Sequence, residues 1–196
     1  MTKTLFLSFI MLSVTSFAQD PNGVNELFGG KIGGGLSIPD DLNTIGGQLE
    51  VGYTVTHETK PYTHNVYLLG TLLPTHNLCP DDKALKLLSI CYERGLNYRK
   101  RNRGPYFTPS LGLCIGLHSE IYTGNSTYLS GNGQTVYHTA SGIHLGFIFN
   151  PISFAFPLKN ERRKIFITAP IQYNLLYLKS MNLIYLFNLR LSMQFQ

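Results

Sequence analysis

No apolar run in this 196-residue chain reaches the 18 residues that a membrane-spanning helix needs, so no transmembrane helix is available. No cysteine follows the N-terminal apolar run, so a lipoprotein anchor is not expected. Acidic residues are few, 11 Asp+Glu against 16 Lys+Arg, and charge of either sign is sparse at 14%. Cysteine occurs only three times, an odd number that leaves at least one thiol over from any pairing. The glycines near Lys31 are followed by no helical pattern, which excludes a phosphate-binding loop of the strand–loop–helix kind.

What is present begins with an export signal. Met1-Thr-Lys3 is a short basic start, Leu5 to Val14 is an apolar run of ten, and Ser16-Phe17-Ala18 supplies a cleavage site. Residues 1–18 are therefore expected to be removed, leaving about 178 residues that begin at Gln19. In an exported protein the mildly basic balance does not point to nucleic acid. The 19 Gly, 12 Tyr and 12 Phe suit strands with an aromatic outer face and glycines where the interior is crowded.

The end of the chain is the clearest element. Tyr185, Phe187, Leu189, Leu191, Met193 and Phe195 share one face, while Asn188, Arg190, Ser192 and Gln194 share the other, with Leu186 as the exception. Period two means a strand, and a wholly apolar face of this length needs something large and apolar against it. A bilayer fits, because a spanning strand takes about 9–11 tilted residues.

Residues 19–28 read as an unstructured lead and 29–196 as one domain of eight strands. The first, 31–38, turns Ile32, Leu36 and Ile38 outward and Lys31, Gly33, Gly35 and Ser37 inward. The second, 45–56, opposes Leu49, Val51, Tyr53 and Val55 to Gln48, Glu50, Thr54 and Thr56. The third, 64–73, is apolar on both faces and its register stays open. In the fourth, 88–99, Ser89, Cys91, Glu93 and Asn97 face inward. Arg94 falls on its apolar face, either reaching for a headgroup or marking a bulge at Gly95.

The fifth, 106–119, places Gly112, Cys114, Gly116 and His118 inward. The sixth, from Val136, places His138, Gly142, His144 and Gly146 inward. The apolar parity flips at Asn150-Pro151, read here as a bulge within one long strand; a turn there would give nine strands. The seventh covers 165–177 and the eighth closes the chain. Basic segments, Arg99-Lys100-Arg101 with Arg103 and Lys159 with Arg162-Arg163-Lys164, then fall at the end holding the termini. The acids Asp40-Asp41, Asp81-Asp82 and Glu120 fall at the other. Basic turns suit anionic phospholipid headgroups.

The signal ending Phe-Ala-Gln, the glycine-rich first strand (Gly29 to Gly35) and the terminal strand resemble small outer-membrane β-barrel proteins of Bacteroidota-type bacteria. These are similar in build to the transmembrane domain of outer membrane protein A. The resemblance implies an all-β, antiparallel, up-and-down transmembrane barrel in the bacterial outer membrane. It also implies that the last strand signals to the barrel-assembly machinery, although here Gln196 follows the terminal aromatic Phe195.

The inward ionisable set is Lys31, Glu50, Glu93, His118, His138, His144 and Arg190. Such groups must pair, because solitary buried charges are costly, so a salt-bridged plug is expected and a narrow pore is the sharper alternative. A loop centred near Thr127 or Tyr128 would bring His118 and His138 together beside Glu120. No cysteine or third histidine sits at ligand spacing, and no metal or cofactor is expected. Some small outer-membrane barrels are lipid A deacylases with Ser and His on one strand face. Here His118 and Ser119 are adjacent and point to opposite faces, so the serine cannot be activated. A turn at Asn102 makes Cys91 and Cys114 cross-strand neighbours that could form a disulfide or stay as two free thiols, with Cys79 apart.

The expected role is non-enzymatic: a structural or surface-interaction protein whose outer loops, 74–86 and 120–134, meet an extracellular protein or glycan. The alternative is a soluble periplasmic β-barrel holding an apolar ligand, which requires the apolar faces to point inward.

Overall fold

The computed structural model describes residues 26–40, 44–57, 61–74, 83–96, 104–125, 135–158, 163–177 and 181–195. Alternating apolar and polar residues give β1 (Glu26–Pro39), β2 (Gly46–His57), β3 (Tyr62–Leu73) and β4 (Lys83–Leu96). Then come β5 (Tyr106–Phe107), β6 (Ser110–Asn125), β7 (Thr135–Pro157), β8 (Arg163–Tyr177) and β9 (Met181–Phe195). Every pairing is antiparallel. Apart from the short β5, each strand pairs with the next in sequence, β4 with β6 across it, and β9 returns to β1 with Gly30 opposite Phe195. The sheet is therefore closed, which removes the unpaired edges an open sheet would leave. β5 and β6 both lie against β7 and form one stave, so the barrel has eight.

The parity flip at Asn150-Pro151 is a bulge, not a turn. β7 runs unbroken for 23 residues, and its register against β8 shifts by one between Phe149 and Ile152. Pro151 sits in the extra stretch, Pro170 faces it from β8, and Pro109 interrupts the neighbouring stave between β5 and β6. A proline has no N–H to give the ladder, so prolines collect where the ladder is already broken. Two backbone bonds hold the seam: Thr108 N–H donates to the Ser153 carbonyl (2.8 Å), and Leu96 N–H donates to the Pro109 carbonyl (2.8 Å).

Several boundaries differ from the sequence reading. β1 starts at Glu26, so three residues assigned to the lead belong to the barrel. β4 starts at Lys83 rather than residue 88, and β6 runs to Asn125, which shortens both loops expected at 74–86 and 120–134. β8 starts at Arg163 and turns Lys164 into the interior, 4% exposed. The ladder between β3 and β4 runs without interruption from Tyr62–Leu96 to Leu73–Leu85, so Gly95 marks no bulge and Arg94 does face outward. The remaining residues of the two basic turns, and Cys79, lie outside the described residues.

The outer wall is apolar and the interior is mostly polar. Leu49, Leu113, Leu117, Leu191 and Phe195 are among the large apolar side chains left exposed all round the barrel, Leu49 by 75%. Glu50, Glu93, His118, His144 and Arg190 are buried inside. The soluble alternative needed the reverse. β3, apolar on both faces, sends Tyr67, Leu69 and Leu73 inward and Val66, Leu68 and Leu72 outward.

Candidate functional site

The interior forms three layers, and the one nearest the termini is charged. Lys31 on β1 and Arg190 on β9 flank Glu50 on β2: Lys31 Nζ lies 3.0 Å from Glu50 Oε1, and Arg190 Nη1 lies 3.5 Å from Glu50 Oε2. The same Nη1 is 3.6 Å from Glu93 Oε1 on β4. Arg190 Nε donates to Gln48 Oε1 (3.0 Å) and its Nη1 to the Tyr67 hydroxyl (3.0 Å). Tyr67 O–H donates in turn to Glu93, whose other oxygen accepts from Ser110 Oγ (2.7 Å). The Lys31 ammonium also stands over the Tyr67 ring, 4.8 Å from its centre. Lys31 and Arg190 thus meet two carboxylates, Glu50 and Glu93, within the layer. Desolvated ions are stable only when paired and hydrogen-bonded in this way.

Register explains how so many long side chains fit. Lys31 faces Gly52 across the ladder, Glu50 faces Gly33, Arg190 faces Gly35 and Glu93 faces Gly112. His118 faces Gly142 and His144 faces Gly116. A Cβ on Gly112 would stand 2.5 Å from Glu93 Cγ, and one on Gly116 would stand 2.8 Å from His144 Cε1. Glu50, Glu93 and His144 thus reach into volume that a glycine across the ladder leaves open. An eight-stranded barrel is only wide enough for its own side chains.

The middle layer holds Tyr67, Leu69, Cys91, Cys114 and Ile148. Cys91 and Cys114 are direct cross-strand partners, as the turn at Asn102 implies, and both are buried as free thiols, the second of the two states the sequence left open. Gln172 Nε2 lies 3.6 Å from Cys114 Sγ, and Asn174 Oδ1 lies 3.8 Å from it. These amides give the thiols a polar neighbourhood without a bond between them.

Toward the opposite end the histidines come together in a different pairing from the one expected. His138 lies opposite Tyr122, four positions from His118 in register, because the connection is centred near residue 130. The side chain of His138 is outside the described residues. His118 instead meets His144, with ring centres 6.1 Å apart. His144 Nε2 is 2.8 Å from Ser89 Oγ, a serine–histidine contact that strand-by-strand reading missed because the partners lie on β4 and β7. This pair lacks what a nucleophile needs. Ser89 is 1% exposed, and His144 Nδ1 has no partner to orient the ring. Among the described residues no group of three or more His, Cys, Asp or Glu is placed to hold a metal.

Above the histidines, Leu73, Leu85, Leu87, Leu176 and Leu186 close the interior, with Ile184 against them. Leu186, the exception to the terminal alternation, is fully buried in this cap. At the terminal end a small hollow is lined by hydroxyls and amides with Lys31, Glu93 and Lys164.

The barrel is similar to solved ones. Neisserial surface protein A matches with a TM-score of 0.52 at 10% identity, over 87% of this chain and 98% of its own. The N-terminal β-barrel domain of Pseudomonas aeruginosa OprF gives 0.45 at 11% identity, covering 87% and 100%. Ail, the attachment invasion locus protein of Yersinia pestis, gives 0.46 at 13%, covering 87% and 96%. The last two scores are too low to carry an argument, and 10% identity establishes a fold without an activity. These comparisons bear on the barrel and not on the Bacteroidota-type group. No protein-family description and no curated protein matches the chain.

Proposed function

We propose that this is a non-enzymatic β-barrel protein of the bacterial outer membrane, acting as a structural or surface-interaction element. The single observation that carries this reading is the continuous apolar outer wall around a closed, charge-paired interior. A soluble monomer seldom exposes an apolar patch beyond a few hundred Å², whereas a bilayer requires such a wall and forbids open edges. The leucine cap and the charged layer fill the cross-section, which favours a plug over a pore. Contact with an extracellular protein or glycan then falls to the loops at the end away from the termini. Neisserial surface protein A, whose barrel this one resembles, is itself named a surface protein. The export signal and the terminal strand support delivery by the barrel-assembly machinery.

The test is fractionation with heat-modifiable migration. The protein should appear in the outer-membrane fraction and run at a different position on a gel before and after boiling. Recovery in the soluble periplasmic fraction would overturn the reading.

A further inference from the structure

Arg94 is a charged residue on the largely apolar outer wall of the barrel. It lies on the outward face of β4, exposed, two residues from the strand's end at Leu96. At the bilayer midplane an outward arginine would be strongly unfavourable, and near the interface the penalty fades. Two residues of strand amount to about 7 Å from the rim, the depth of the headgroup boundary rather than of the acyl chains.

The surroundings are built around the guanidinium. His64 is its direct cross-strand partner on β3. The Arg94 guanidinium carbon stands 4.5 Å from the centre of the Tyr62 ring. The Tyr92 hydroxyl is 2.7 Å from His64 Nδ1, with the two rings stacked at 5.9 Å, and Tyr62 meets His64 edge to face at 5.3 Å. Stacking on an aromatic face restrains a guanidinium while leaving the N–H donors at its edge directed outward. Lys31 and Arg190 inside the barrel each have a carboxylate partner, whereas no ion pair involves Arg94 among the described residues.

We propose that Arg94, held by Tyr62 and flanked by His64 and Tyr92, binds the phosphate of an anionic phospholipid on the outer wall of the barrel. The inference rests on the membrane reading above. A planar guanidinium fork matches phosphate oxygens in a bidentate way that few other groups can. The preference for an anionic lipid comes from the sequence around the site. Arg99, Lys100, Arg101 and Arg103 follow within ten residues, and exposed Arg163 begins β8 at the same end of the barrel. Asp40, by contrast, lies at the far end, beyond β1. A basic rim attracts anionic headgroups, and the aromatic cluster supplies the interfacial contact.

The experiment uses the full mature chain, folded in detergent and mixed with phosphatidylglycerol or phosphatidylcholine, with bound lipid read by native mass spectrometry. Wild type should retain phosphatidylglycerol over phosphatidylcholine. Arg94→Gln should lower that retention roughly tenfold, as expected for losing charge-assisted hydrogen bonds. Arg94→Lys and Tyr62→Leu should fall between. Lys86→Gln, at an outward position near the opposite end, should leave retention unchanged. Equal retention by wild type and Arg94→Gln would overturn the site, as would no lipid preference in wild type. Complete displacement of the lipid by millimolar inorganic phosphate would show a free-anion site and overturn the lipid assignment. Failure of wild type to insert into vesicles or to show heat-modifiable migration would instead sink the membrane reading, and this site with it. If Arg94→Gln does not fold, Tyr62→Leu decides: undiminished retention there overturns the proposal.

Discussion

Arg190→Ala is the sharpest perturbation of the interior, because the arginine is the one group that touches both buried carboxylates. At an effective dielectric near 20, unit charges 3.5 Å apart attract by roughly 5 kcal/mol before desolvation is counted. The net cost of removal depends on what is left behind. Glu50 keeps Lys31 at 3.0 Å, but among the described residues Glu93 loses the cation paired with it and keeps the hydrogen bonds from Tyr67 and Ser110. Stranding one buried charge in this way costs about 3–5 kcal/mol. Adding Glu93→Gln to Arg190→Ala should therefore recover a large part of the loss, while Leu191→Val on the outer wall should cost under about 1.5 kcal/mol. With no tryptophan to report, urea unfolding in lipid vesicles is followed by far-ultraviolet circular dichroism and gel migration. An Arg190→Ala midpoint within 1 kcal/mol of wild type, or no recovery in the double variant, would refute the account of a mutually dependent charged layer.

Deleting residues 189–196 removes seven of the ten β9 residues paired with β1, and should abolish insertion because an open edge in lipid leaves backbone groups unpaired; normal outer-membrane levels would count against a spanning barrel. In planar bilayers the wild-type protein should pass little or no steady current, since the leucine cluster and the charged layer fill the interior, and large stable channels would make a pore the leading function. Gly116→Val should block folding or cost several kcal/mol, because a Cβ there stands 2.0 Å from the Leu88 carbonyl oxygen, whereas Gly47→Val meets nothing within 4 Å and should be tolerated. Comparable folded yields for the two valine variants, measured by heat-modifiable migration, would show that the interior is looser than the register implies.

How much was legible in the sequence follows from what alternation can and cannot carry. A period of two identifies strands and their two faces from neighbouring residues alone, so β1, β2, β6 and β9 were readable with their inward residues. It fails where both faces are apolar, as in β3, where Tyr67 and Leu69 fill an interior that alternation assumes to be polar. Tyr67, the hub between Arg190 and Glu93, was missed for that reason. Leu85 and Leu87 were missed because the segment after Asp81-Asp82 reads as loop. Pairing across strands depends on where each connection is centred, and an error of two residues in the loop moves a partner by four. That is the distance from His138, the expected partner of His118, to Gly142, its actual one, and it leaves the His118 ring beside His144 instead. The turn at Asn102 was centred correctly, and the Cys91–Cys114 register followed. One signal was present but unused: the run Gly33-Gly34-Gly35 opposite Glu50 and Arg190 announces large partners across the ladder.

The glycine-for-ion exchange bears on why the interior takes this form. If a barrel of eight staves is to exclude water, each long inward side chain needs a short one across from it, and the pairings Lys31–Gly52, Glu50–Gly33, Arg190–Gly35 and Glu93–Gly112 supply this on adjacent strands. Those four ions lie on β1, β2, β4 and β9, which form a continuous run of five staves with β3, the source of Tyr67. The other three staves, β6 to β8, contribute Lys164 and the amides Asn150, Gln172 and Asn174, together with the Phe149–Ile152 bulge. Charge is thus concentrated across the β1–β9 seam, where the first and last strands of the chain must find each other. Arg190 on β9 reaches Glu50 on β2 and Glu93 on β4, so its ion pairs form only once β9 has docked on β1. The charged layer thereby rewards correct closure over any register that leaves Arg190 without its carboxylates, and a slip of one residue would turn the arginine out toward lipid.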